Sequence, residues 1–163
     1  MSDAASGFTS VTYPFPVIRM ADLYLMYAEA LNEKGEDYAT VLPWIDMVRE
    51  RSGLQGVKES WDQYVGNSKY ATQTGLRQII MQERRIELAF EGHYFWDVRR
   101  WKTATTELTQ PLTGWKVRYG ETDVDYYSEN LVLVRDFTPK MYFWPIDIGE
   151  LRKDPNLVQN YGW

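Results

Sequence analysis

Between Leu76 and Trp101 apolar residues recur at helical spacing. Leu76, Ile79, Ile80, Ile86, Phe90 and Tyr94 share one face at 3.6 residues per turn, and Trp101 joins them if the helix runs that far. Upstream, Met20, Leu23, Tyr24, Tyr27, Ala30 and Leu31 line one face of a first helix that ends near Gly35. Thr40 reads as the N-cap of a second helix, because Pro43 then falls in its first turn, where no amide donor is needed. Val41, Ile45 and Val48 face inward from that helix, and Gly53 closes it. The pair resembles one tetratricopeptide-like unit, with Tyr27 and Ala28 at the close contact; repeat arrays need several such units, so one does not make an array. Downstream the period changes. Trp115, Val117 and Tyr119 alternate with Lys116 and Arg118 as a strand does, and Leu131 to Val134 and Tyr142 to Ile146 read as further short strands. Asp147 to Leu151 supplies a last turn before Pro155.

The prediction is a mainly α fold: a helical pair, a long third helix, irregular loops and a small antiparallel β ribbon. A single domain spans residues 1–163, with 1–12 a loose polar lead-in and Pro14 and Pro16 keeping the next stretch extended. Gly53 to Thr74 is long for a connection, and Glu59 to Tyr64 supplies one helical turn within it.

Glu83 and Glu87 fall in the middle of the third helix's apolar stripe, one turn apart. Like charges at that spacing repel, and a buried unpaired carboxylate costs several kcal/mol or takes up a proton. Arginine must therefore reach them from another element, and Arg19, Arg49 and Arg51 are the nearest outside partners in sequence. The catalytic alternative makes these acids, with Glu91 and Asp97 nearby, general acid–base groups on a glycosidic bond. That chemistry needs carboxylates facing each other across a cleft, about 5–9.5 Å apart. Two acids on adjacent turns, crowded by Arg84, Arg85, Arg99 and Arg100, suit a structural charge network better.

The same stretch carries a family pattern. Glu83, Arg84, Glu87, Leu88, Glu91, Gly92, Phe95, Asp97, Arg100 and Trp101 match E-R-x-x-E-L-x-x-E-G-x-R-F/W-x-D-x-x-R-W, and Tyr94 stands where that pattern has arginine. Three further segments agree with the family's order: Arg19 to Ala30 and Val48 to Leu54 before this stretch, and Trp144 to Trp163 after it, the last with Asp147, Asp154 and Tyr161 replacing the usual residues. Together they resemble the C-terminal portion of the SusD/RagB family, whose members are several times longer. The resemblance implies a surface lipoprotein of the outer membrane that binds glycans or other nutrients and delivers them to a TonB-dependent transporter. It also implies that most of the family's ligand contacts belong to the part this chain does not resemble. The long third helix becomes, on this reading, the signature helix.

Composition narrows the rest. The 163 residues fit one domain with a real core, and 44% hydrophobic content argues against disorder. A net charge of −5 leaves no basic footprint for nucleic acid, and no apolar run reaches membrane-spanning length. Without Cys there is no disulfide, thiolate nucleophile or lipid-modified cysteine, and residues 1–18 lack a signal core; the expectation is a chain without its own export signal or anchor. His93, the single histidine, has no second ligand at metal spacing, so no metal or cofactor is expected. No glycine falls in a phosphate loop and no serine in a nucleophile elbow.

Aromatics make up 15% of the chain, including 7 Trp and 12 Tyr. Tyr24, Tyr27, Trp44, Phe90 and Trp101, at helical spacing, are expected in the core. Trp61, Tyr64 and Tyr70, and Trp115, Tyr119, Tyr126 and Tyr127, sit in loop or ribbon settings and are the candidates for stacking on sugar rings. Packing is the competing reading for them, because a part of a larger protein also exposes former interface rings. The expectation is a non-catalytic scaffold for nutrient capture with weak or undetectable glycan affinity of its own. The alternatives are a helical protein-interaction module without glycan binding, and a glycosidase using Glu83 or Glu87.

Overall fold

The computed structural model describes residues 16–116 and 121–163. The lead-in at residues 1–12, Pro14, Val117 and Tyr119 lie outside these described residues. The chain separates into two compact units, one up to Glu91 and one from Gly92 onward. Among the described residues eight α-helices accompany a two-stranded antiparallel sheet, and no helix is long and apolar enough to cross a membrane.

The first unit is a helical hairpin, α1 (Met20–Lys34) and α2 (Tyr38–Arg51), against which a third long helix packs. The linker contains α3 (Val57–Ser60), a π-helical turn at Trp61–Val65 and a 3-10 turn at Lys69–Ala71 before α4 (Gln73–Glu87). Leu25, Val41, Ile45, Leu76 and Ile80 are fully buried at the shared core. Gly35 ends α1 at φ 88°, a left-handed conformation that glycine adopts without strain.

The inward stripe of α1 is rotated from the expected one. Ala21, Asp22, Leu25, Ala28 and Asn32 are buried, whereas Met20, Leu23 and Tyr27 are substantially exposed. Small residues at Ala21 and Ala28 let the helices approach, and the large rings lie on the flank, where Tyr24 and Tyr27 pack on Trp44 at 5.9 and 4.6 Å. The buried polar groups are matched: Arg84 pairs with Asp22 at 2.9 Å, and Asn32 and Gln73 exchange bonds with each other's backbone carbonyls at 3.1 and 2.7 Å. Helix α2 also begins earlier than expected. Asp37, not Thr40, is its N-cap and accepts from the Ala39 amide at 3.2 Å, leaving Pro43 inside the helix at a solvent-facing position.

The signature helix does not run to Trp101. It stops at Glu87, and α5 (His93–Arg100) starts afresh at Gly92. Phe90 and Gly92 have φ values of 65° and 81°, which a right-handed helix cannot accommodate. The Glu87 carbonyl accepts from the Arg19 guanidinium, while the Glu91 amide turns to Leu88. Phe90 is consequently in solvent rather than in the core, and Ile86 is largely exposed.

The second unit has a small core of Val98, Ala104 and Phe137, flanked by Tyr94, Leu108, Met141 and Tyr142. After α5 come α6 (Ala104–Glu107), β1 (Leu112–Trp115), α7 (Asp123–Tyr126), β2 (Glu129–Leu133) and α8 (Ile148–Lys153). The strands pair Thr113 with Leu131 and Trp115 with Glu129, with a bulge between Leu112 and Thr113. Tyr142 to Ile146 is not a strand. Pro145 has no amide to offer a ladder, and the neighbouring backbone is satisfied by side chains: Gln159 bonds both the amide and carbonyl of Ile146 at 2.8 and 2.9 Å, and Asn160 bonds the Trp144 carbonyl at 2.7 Å. Asp147 caps α8 by accepting from Gly149 at 2.7 Å.

Two consequences are measurable. Asp22→Ala leaves the buried Arg84 short of its carboxylate, and such a loss costs about 3–5 kcal/mol; a urea midpoint well below wild type is expected, whereas an unchanged midpoint would discard the pair as a determinant of stability. Asp46 is half-buried; burial pushes its carboxyl up, against the opposing hydrogen bond from the Val57 amide at 2.7 Å and the Arg49 charge. A raised folded value means that stability is lost as pH rises from the ordinary carboxyl value, about 3.9, through the raised one. Asp46→Asn keeps an oxygen acceptor for Val57, so its stability relative to wild type should improve between about pH 3 and pH 6. A relative stability that declines over that interval in parallel thermal melts would refute this account of Asp46.

Candidate functional site

In the first unit, α4 brings its two carboxylates to arginines from α1 and α2. Arg49 Nη1 pairs with Glu83, and both Arg19 Nη1 and Arg51 Nη2 reach Glu87, the latter at 2.6 Å. Arg19 also holds Glu91 through Nη2 at 2.7 Å and Nε at 2.9–3.0 Å. Its pKa is raised, chiefly by the Glu91 hydrogen bond and secondarily by Glu87, against the cost of burial. Arg49 further donates to the Gln55 carbonyl at 2.8 Å and Ser60 Oγ at 3.0 Å, tying the linker to the same network. The Glu83 and Glu87 side chains are only 13% and 12% exposed. Their acceptor oxygens face guanidinium donors of the same protein, an arrangement that neutralises and orients them rather than presenting them to a substrate.

The aromatic candidates divide into two groups. In the linker, Tyr64 is 73% exposed, while Trp61 is half-buried against the core with the Lys69 ammonium 5.5 Å from its ring centroid. Tyr70 departs from the exposure that its loop setting suggested. Its ring is buried, edge-on to Tyr38 at 5.5 Å, and its hydroxyl donates to Asp62 at 2.8 Å. The 3-10 turn preceding α4 folds this residue inward.

At the ribbon, Trp115, Tyr126 and Tyr127 come together. Tyr127 stands edge-on to Trp115 at 5.3 Å and to Tyr126 at 5.0 Å, and Trp115 and Tyr127 are each 60% exposed. The Lys116 amide donates to the Tyr126 carbonyl at 3.1 Å, which fixes α7 against the end of β1. Edge-to-face packing leaves ring faces open for a flat apolar surface. Polar groups of Asp125, Ser128 and Glu129 adjoin the rings in sequence, and Glu129 accepts from Thr113 Oγ1 at 2.5 Å. A second exposed aromatic surface went unread in the sequence. Phe143, Trp144 and Trp163 line a cleft with Arg99, and nothing in their spacing betrays it, because they lie on irregular backbone.

Residues 2–163 match the SusD family (SusD_RagB). The chain belongs to this family. It is 39% identical over 144 residues to SusD-like protein P25 of Formosa agariphila, covering 88% of this chain and 23% of that one. It is 37% identical over 98 residues to SusD-like protein P2 of the same organism, covering 60% and 18%. The crystal structure of a SusD-like protein from Bacteroides fragilis superposes with a TM-score of 0.72 at 30% identity, covering 90% of this chain and 25% of that protein. This SusD-family chain thus spans about a fifth to a quarter of the length of the relatives it matches.

The SusD signature residues acquire physical roles here. Glu83, Glu87 and Glu91 form a charge clasp with Arg19, Arg49 and Arg51, Arg84 seals the α1 contact, and buried Asp97 pairs with Arg100 at 3.0 Å. Tyr94, which replaces the pattern's arginine, donates to Glu107 at 2.9 Å, so a neutral hydroxyl reaches a carboxylate within the second unit. Glu87→Ala would deprive both Arg19 and Arg51 of a partner. A fully buried pair would lose about 3–5 kcal/mol, and the exposure of Arg51 places this loss toward the lower end. A thermal melt superimposable on wild type would eliminate the clasp as a stabilising device.

Proposed function

We propose that this chain is a non-catalytic, C-terminal SusD-like portion serving glycan or nutrient capture, working with a TonB-dependent transporter at the outer-membrane surface. The observation that carries the reading is the cluster of exposed Trp115 and Tyr127 with half-buried Tyr126 on a chain of the SusD family. Sugar rings present flat C–H faces flanked by hydroxyls, and stacked aromatics with neighbouring polar groups complement both features. Tyr64, exposed in the first unit, adds a separate ring surface. The engagement of Glu83 and Glu87 with arginine supports scaffold over glycosidase.

A few open rings without a deep polar pocket leave little surplus over the cost of immobilising a flexible sugar. The isolated chain should therefore bind neutral oligosaccharides with Kd of about 1 mM or weaker, corresponding to roughly −4 kcal/mol. In a panel of neutral glycans followed by tryptophan fluorescence and calorimetry, Trp115→Ala should abolish whatever binding remains while leaving the melting curve unchanged. Low-micromolar affinity, or binding indifferent to Trp115→Ala, would overturn this assignment of the surface. Release of reducing sugar by the purified chain, lost in Glu87→Gln, would restore the glycosidase reading. Co-purification of the full-length protein with a TonB-dependent transporter from outer membranes tests the partner.

A further inference from the structure

The second unit contains a cleft of about 310 Å³ whose walls are nearly all apolar: Phe137, Met141, Phe143, Trp144 and Trp163. Ligand pockets span roughly 300–1,000 Å³, so its size suits one pyranose ring and part of a neighbour. Trp144, Phe143 and Trp163 are 68%, 54% and 46% exposed, leaving their rings open to solvent. Trp163 is held in place: its indole Nε1 donates to the carbonyls of Lys140 and Phe143 at 3.1 and 3.0 Å. The Lys140 ammonium lies 4.5 Å from the Trp163 ring centroid.

Arg99 is the charged residue lining this cleft. Its Cζ lies 3.5 Å from the Phe95 ring centroid and 5.1 Å from that of Phe137, and Nη1 donates to the Phe95 carbonyl at 3.2 Å. Its Nε is buried without an acceptor, and among the described residues no carboxylate pairs with it. This differs from Arg19, Arg49, Arg51 and Arg84, each of which meets a carboxylate of the chain. Desolvation holds the Arg99 pKa below the usual guanidinium value, with Tyr142 opposing it, so its protonated form gains from an incoming anion. A partly desolvated cation in the same cleft wall as the exposed rings of Phe143, Trp144 and Trp163 selects an anion attached to a ring. Carboxylate suits guanidinium geometry, and a pyranose face suits Trp144.

We propose that the cleft over Arg99 binds a uronic acid residue of an oligosaccharide, its carboxylate drawn to Arg99 and its ring stacked on Trp144. The sugar identity rests on the nutrient-capture reading above; the preference for a carboxylate rests on Arg99 alone. The site is distinct from the Trp115–Tyr127 cluster, since none of its lining residues belongs to that cluster.

Trigalacturonate and the corresponding neutral galactose trisaccharide, titrated against the chain at matched ionic strength, separate the two ideas. Trigalacturonate should bind at least about tenfold more tightly, equivalent to 1.4 kcal/mol, and should weaken as salt rises. Arg99→Gln should erase the preference for the uronate without changing affinity for the neutral sugar. Trp144→Ala, at a 68% exposed position, should remove trigalacturonate binding, and it keeps the test decisive if Arg99→Gln unfolds. Equal affinity for both trisaccharides, or a preference that survives either variant, overturns the uronate site while leaving the general capture reading intact. Competition by sodium acetate at equal concentration would assign the cleft to carboxylates without a ring and likewise overturn it. No detectable binding of trigalacturonate would overturn the uronate site, while the capture reading, which expects neutral affinity of about 1 mM or weaker, would stand.

Discussion

Arg19 is the residue on which the first unit turns. One guanidinium reaches the Glu87 carboxylate, the Glu87 main-chain carbonyl and the Glu91 carboxylate. It thereby joins the start of α1 to the end of α4, and it occupies the carbonyl that would otherwise serve the next helical turn. Arg49 and Arg51 complete the network from α2, so all three long helices are tied through charge as well as through the apolar core. Such partly buried pairs are weak sources of net stability but strong constraints on arrangement, because breaking one leaves a charge unmatched. The signature acids are thus positioned by packing, and the helix break that follows them is part of the same construction.

The second unit is organised differently. Its buried core is small, and much of its order comes from polar groups that stand in for missing secondary structure. Gln159 pairs with Ile146 as a neighbouring strand would, and Asn160 takes the Trp144 carbonyl. This holds a proline-containing segment extended while leaving its aromatic side chains outward. Irregular but satisfied backbone is well suited to display rings, since neither a helix face nor a sheet interior claims them.

Two outward aromatic surfaces belong to this unit, only the Trp144–Trp163 one on irregular backbone, and they differ in electrostatics. The Trp115–Tyr127 cluster is bordered by acidic and hydroxyl groups, whereas the Trp144–Trp163 cleft is bordered by Arg99 and Lys140. The surface proposed for neutral sugars and the cleft proposed for a uronate thus differ in the charge that borders them. Among the described residues Arg99 also lacks the carboxylate partner that Arg19, Arg49, Arg51 and Arg84 each have.

Helical periodicity alone located α1, α2 and the start of α4, since buried apolar positions recur at the spacing a helix requires. Position Glu87 within the stripe demanded arginine, and Arg19, Arg49 and Arg51 are where the carboxylates meet it. Four collinear motifs were sufficient to identify the family. Sequence periodicity did not reveal the rotation of α1, because Asp22 and Asn32 look solvent-facing until Arg84 and Gln73 arrive from α4. Nor did it reveal the break at Phe90, where a side chain distant in sequence captures a backbone carbonyl. The burial of Tyr70 and the exposure of Trp144 and Trp163 likewise depend on turns and on hydrogen bonds from residues up to 23 positions away. Local pattern determined which segments would fold as helices; which polar groups could be buried, and which rings were left facing solvent, was decided only by long-range partners that satisfy charge and backbone.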